Sequence, residues 1–224
     1  MEAARRKCMN RACFSLFLCF LLIIPTTFSL VSADQDQDQL NSESTIVPQF
    51  GTGFDETVIA DSTDDLNKPR DLEFHPGSKR NDELWVVNRA TDSITIVYET
   101  GTAAQWSENL HDVYAYHFME EVSAISFGAY DDEFDYQFGT AQETRNTFNG
   151  QQAPNNFMGP TLWPSSPTHF AKEHQTDSLQ GSHIDMLHES PNGMGIAWDS
   201  GNAYWYFDGF YSELVYYDFV EDHD

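Results

Sequence analysis

The sequence predicts an all-β protein assembled from short antiparallel blades of a β-propeller, about three of them, as part of a larger propeller. Three observations carry that expectation. From Pro69 onward short runs of alternating apolar and polar residues replace any helical period. Turn-forming residues punctuate those runs at hairpin spacing. The same three-strand phrase then returns further along the chain, which is the signature of a repeat architecture.

The first unit runs RDLEFHP (70–76), ELWVVNR (83–89) and DSITIVYETG (92–101), with Pro76-Gly77-Ser78 and Ala90-Thr91-Asp92 between the strands. Leu72 and Phe74 fall on one face, and so do Ile94, Ile96 and Tyr98. The phrase recurs as MGIAWDSGN (194–202), AYWYFDG (203–209) and SELVYYDF (212–219). At an offset of 120 residues Leu84-Trp85-Val86-Val87 corresponds to Tyr204-Trp205-Tyr206-Phe207, and Ile94–Tyr98 to Leu214–Asp218. A weaker copy lies between them in VSAISFG (122–128) and EFDYQFGTAQ (133–142). Residues 144–193 read as a long loop insertion, because Asn, Gln, Pro, Gly and Ser dominate it. Phe157, Met158, Leu162, Trp163 and Phe170 supply apolar anchors that would hold this loop against the blades.

Residues 1–33 read as a secretory signal peptide. Arg5, Arg6, Lys7 and Arg11 precede an apolar run to Leu30, and Val31-Ser32-Ala33 offers the small residues that cleavage requires. An uncleaved anchor is the competing reading, although Pro25, Thr26 and Thr27 interrupt the run. Cys8, Cys13 and Cys19 all lie in this segment, so residues 34–224 hold no cysteine. Disulfides, cysteine nucleophiles and zinc thiolates are thereby excluded from that part. Residues 34–65 form an acidic, polar linker.

The whole chain has 11 basic and 36 acidic residues, a formal net charge of −25. Removing the four basic residues and Glu2 of the signal leaves 7 against 35, or −28. Such a surface repels nucleic acid and anionic membranes and favours cations or basic partners. An unidentified extracellular protein or small-molecule ligand is the expected partner.

The densest ligand set is GSHIDMLHESPNG (181–193), with His183, Asp185, His188 and Glu189, preceded by His169 and His174. Imidazoles with carboxylates suit zinc, and three such ligands plus water would make a Lewis-acid centre. The alternative is a connecting loop whose Ile184, Met186 and Leu187 plug the core. Asp131, Asp132, Glu133 and Asp135 offer the oxygen ligands calcium prefers but lack a loop pattern built around the ion, so a solvated hairpin tip is the competing reading. Trp85, Trp106, Trp163, Trp198 and Trp205 could line a carbohydrate-stacking surface or pack between blades. GxSxG, P-loop, HExxH and GxGxxG motifs are absent.

RDLEFHPGSKRNDELWVVNRATDSITIVYETG resembles an NHL-type propeller blade. Pro69-Arg70-Asp71-Leu72 matches its Pro-x-Asp/Gly-Leu/Ile opening strand, and Asn88 closes the second strand. The likeness covers 66–101 and extends more loosely over 194–219 and 120–142. It implies a closed ring of more blades than this chain supplies, completed by further sequence or by oligomerisation. It also implies that Asp71, Asn88 and Asp208 face a central channel, where similar six-bladed families hold a divalent ion (calcium or zinc here) and act as lactonases or lyases. Two functions follow as expectations: a secreted, acidic binding module, or a metal-dependent propeller hydrolase or lyase of which this chain is a fragment.

Overall fold

Eleven short strands, most of them rich in β-branched and aromatic residues, form in the computed structural model, which describes residues 56–114, 118–145, 155–172 and 181–220. The first sheet contains β1 (Pro69–Phe74), β2 (Leu84–Asn88), β3 (Ser93–Tyr98) and β4 (Trp106–Leu110). The second contains β5 (Val122–Asp131), β6 (Asp135–Gln142), β7 (Thr161–Pro164) and β8 (Asp185–Met186). The third contains β9 (Gly193–Ser200), β10 (Ala203–Asp208) and β11 (Glu213–Asp218). Each is an open antiparallel meander in which neighbours in sequence are neighbours in space. The segments read from the sequence as signal and linker, up to residue 55, and His174 lie outside the described residues.

Hairpins close where a residue tolerates the left-handed region. Asp92 (φ 50°), Asp135 (φ 61°) and Ser212 (φ 58°) do so with a side chain, and Gly201 (φ 52°) without one. Within 144–193, the described residues 155–172 and 181–193 are more ordered than their composition predicts. β7 and β8 come from this stretch and complete the second sheet, and Met158, Leu162, Trp163, Phe170, Ile184 and Met186 are buried. The polar, half-exposed β4 (WSENL) was likewise not expected; it completes the first sheet as an edge strand.

The sheets stack face to face along the chain, with β5 lying against both β1 and β9. Between the first and second sheets Trp85 meets Phe127 and Phe138 edge-on, at centroid distances of 5.4 and 5.3 Å. Between the second and third, Tyr204 packs with Leu162 and Ile196, and Tyr206 with Ala124 and Ala141. Gly139 is required there, since a Cβ on it would lie 2.7 Å from Ile196 Cδ1 and 3.0 Å from the Tyr204 ring.

A second device joins the sheets. The outer edge of each first strand carries backbone N–H groups that β-pairing does not use, and the preceding sheet supplies acceptors for them. Glu73 Oε2 accepts the Phe127 N–H (2.7 Å) and Asp71 Oδ2 the Ile125 N–H (3.0 Å). One step on, Ser126 Oγ accepts the Trp198 N–H (3.0 Å), while the Ser123 hydroxyl donates to the Gly193 carbonyl (2.7 Å).

Candidate functional site

The four residues singled out as metal ligands take up separate local roles. His183 stacks on Phe118 with ring centroids 4.0 Å apart and turns an edge toward Trp163. Asp185, on β8, is buried and accepts the Met186 N–H (2.7 Å). His188 is exposed, lies against the Phe157 ring and donates from Nδ1 to the Phe157 carbonyl (3.0 Å). Glu189 is exposed in a left-handed turn at φ 67°. Among the described residues no group of three or more His, Cys, Asp or Glu side chains is placed to hold a metal ion. The next residue in the stretch, Ser190, donates to Asp208 Oδ2 (2.6 Å), tying the segment to the third sheet.

The remaining polar candidates are also engaged. Asp131 Oδ1 accepts the Glu133 and Phe134 N–H groups at the β5–β6 hairpin. Asn88 bridges the Asn67 N–H and the Thr95 hydroxyl. Asp208 Oδ1 accepts the Phe210 and Tyr211 N–H groups beyond β10. Asp71 serves the sheet-to-sheet contact described above. His169 Nδ1 lies 3.1 Å from Ser166 Oγ.

A polar junction between the first and second sheets groups His75, Ser165, Arg80, Glu83 and Asp135 beside a cleft of about 420 Å³. Arg80 grips Glu83 with two hydrogen bonds (2.9 and 2.7 Å), Asp135 with a third (2.8 Å) and the Ser165 carbonyl with a fourth (3.0 Å). His75 is buried and its Nδ1 accepts the Gly77 N–H, so the proton sits on Nε2 and is donated to Ser165 Oγ (3.0 Å). A serine nucleophile needs the opposite tautomer, with Nε2 free to take its proton. The pair therefore holds the sheets together and leaves Ser165 unactivated. Burial, reinforced by the Arg80 charge and opposed by Glu83 and Asp135, pushes His75 down to about 4.

Cations are scarce and the arginines stand between elements. Arg70 and Arg89 of the first sheet both reach Glu143, just past β6 (3.1 and 2.8 Å), and Arg89 also reaches Glu121 (2.8 Å). Arg145 covers the Phe210 ring at 4.2 Å.

The largest chemical feature left unaccounted for is apolar. On the third sheet Trp205, Phe207, Leu214 and Tyr216 share one face, in the register Trp205↔Tyr216 and Phe207↔Leu214, and are between 43% and 61% exposed. Asp199 accepts from Trp205 Nε1 (3.2 Å) and holds that indole in place. Residue by residue this face repeats Trp85, Val87, Ile94 and Ile96 of the first sheet, in which Trp85↔Ile96 and Val87↔Ile94 are the paired positions. Those four are at most 2% exposed, under the second sheet. The 120-residue offset between the two units was the signal that could have located this face. No helix among the described residues is long and apolar enough to cross a membrane. No family model, curated protein or solved structure matches the chain.

Proposed function

We propose that the chain is an extracellular binding module: a rigid frame of NHL-like, propeller-type blades whose last sheet offers an aromatic face to a macromolecular partner. The observation that carries this reading is the contiguous exposure of Trp205, Phe207, Leu214 and Tyr216 on a sheet whose other face is anchored by the buried Tyr204 and Tyr206. Apolar patches of this kind on a soluble surface mark interaction sites, and large aromatic residues dominate the energetics of such contacts. The blade reading draws support from the adjacency of β1, β5 and β9, the first strands of successive meanders. The basic, apolar and small-residue segments of residues 1–33 support the extracellular placement. An excess of carboxylates disfavours nucleic acid.

The test is site-directed photo-cross-linking in cells expressing the protein. A benzophenone amino acid replacing Phe207 is expected to trap a protein adduct, whereas the same group replacing the exposed Asp132 is not. Equal labelling at both positions, or none at 207, would overturn the reading.

A further inference from the structure

The stacking order inside the chain says what kind of surface this face accepts. Each sheet has two unlike faces. The one bearing Trp85, Val87, Ile94 and Ile96 receives the face of the second sheet that carries Ile125, Phe127 and Phe138. The second sheet's opposite face, with Ala124, Gly139, Ala141 and Leu162, receives Ile196, Tyr204 and Tyr206 of the third. Both contacts run head to tail, joining the forward face of one sheet to the rear face of the next.

Among the described residues one forward face and one rear face are left over. The forward face is that of the third sheet. The rear face belongs to the first sheet, where Leu72 and Phe74 occupy the places that Ile125 and Phe127 hold in the second: Leu72 lies opposite Val86 and Phe74 opposite Leu84, as Ile125 lies opposite Thr140 and Phe127 opposite Phe138. Leu72 is 57% and Phe74 51% exposed. Residues 59–65 cover the far half of this rear face, where Gln105 donates to the Ile59 carbonyl and Thr95 to that of Asp65. The β1 half remains open.

We propose that the partner of the third sheet is a second copy of this chain, whose first sheet docks through Leu72 and Phe74 onto Trp205, Phe207, Leu214 and Tyr216; this rests on the binding-module reading above. The contact repeats between molecules the head-to-tail order used twice within one. A contact between two third sheets would set Asp199, Asp208, Glu213 and Asp218 against their own copies in a stretch, 193–218, without Lys or Arg, whereas the head-to-tail contact brings Lys68 at the start of the first sheet to that acidic stretch. Arg70, Arg80 and Arg89 are turned to Glu143, Asp135 and Glu121 on the second-sheet side, so the contact is chiefly apolar. Because both copies carry a large negative net charge, added salt screens their repulsion and tightens an apolar self-contact, whereas it weakens binding to a basic partner.

The experiment is sedimentation of the purified full chain over a concentration series, alone and as variants. Wild type is expected to self-associate, more tightly as salt rises. Phe207→Lys with Leu214→Lys, and separately Leu72→Lys with Phe74→Lys, are each expected to weaken association by more than about tenfold while leaving circular dichroism and melting unchanged. Phe207→Ser provides the milder check on folding. An equimolar mixture of the two double variants restores association, since each retains the face the other has lost. A wild type that stays monomeric overturns the proposal. So does a Leu72/Phe74 variant that associates normally, which would indicate contact between two third sheets, and so does a mixture that fails to associate. Cross-linking at 207 to a different protein alongside a monomeric wild type would sink self-docking but keep the binding module; absence of any adduct would sink both.

Discussion

Trp85 and Trp205 occupy the same point of two sheets, each on the second strand of its meander and facing a bulky residue on the third, Ile96 in one case and Tyr216 in the other. Trp85 is 1% exposed and Trp205 43%. Their difference therefore owes nothing to local sequence pattern; it reflects whether another sheet arrives on that face. Covered, the indole meets Phe127, Phe138 and Phe170 and donates to Glu83. Uncovered, it is held upright by Asp199 and the Tyr216 ring. It is on this open copy of the inter-sheet face that the proposed interface rests.

The comparison breaks most sharply under alanine substitution. Trp85→Ala removes a fully buried side chain from the first interface and should cost about 3–5 kcal/mol, whereas Trp205→Ala should cost under about 0.5 kcal/mol in dilute monomer. Urea denaturation of both variants measures the two values. Equal costs would mean that the third sheet's face is already covered within the molecule.

Acid should act on the closed interface and spare the open one, because the buried histidine lies only in the former. His75 is depressed to about 4, so between its ordinary value near 6.5 and that point the unfolded chain binds the extra proton. Its stabilising contribution is thus complete above about 6.5 and is lost as pH falls toward 4, by on the order of 3 kcal/mol. Glu120 runs the other way: burial, with Asp92 and Glu121 nearby, raises it to about 7, so its contribution is present at low pH and is lost as pH rises through 7. Because the two groups oppose each other from pH 4 to 7, denaturation midpoints in His75→Gln should rise less, or fall more, with increasing pH than in wild type. Parallel slopes would remove His75 as the cause.

Much of this was legible in the sequence where period and turn chemistry agreed. RDLEF alternates, ELWVVN, SITIVY, AYWYFD and ELVYYD are short β-branched and aromatic runs, and all five lie between turn residues and are strands within a residue or two of their expected ends. β7 escaped because TLWP is four residues flanked by prolines inside a polar stretch, and its strand character comes from pairing with β6. The His183 to Glu189 cluster was read from proximity along the chain, which does not predict the contacts found there: His183 stacks on Phe118, His188 lies tilted against Phe157 and Asp185 accepts the Met186 N–H. The open face was written in the offset between Trp85 and Trp205, but a sequence cannot say which copy of a repeat finds a neighbour.

Between the second and third sheets the fit depends on missing side chains. Gly139→Ala pushes a methyl against the Tyr204 ring and Ile196 and should cost about 1–3 kcal/mol by thermal or urea unfolding. The Tyr204 ring cannot withdraw, since it is fully buried between Leu162 and Phe219. A neutral result would mean that this interface yields more readily than the first.

The smallest expected effect sharpens the comparison most, because it adds a contact. Glu73 lies opposite Trp85, Ser126 opposite Gly139 and Ala197 opposite Trp205, so the three are successive versions of one position. The first two each accept a backbone N–H from the next sheet's first strand; Ala197 has no acceptor to offer. If a second copy's β1 docks there, Ala197→Ser should supply the missing bond and tighten association by roughly three- to tenfold, the value of one net hydrogen bond. Sedimentation of this variant beside wild type reads the change directly. A variant no tighter than wild type would mean that the incoming strand does not follow the geometry set by β5 and β9. The aromatic face would then be read by a partner of a different shape.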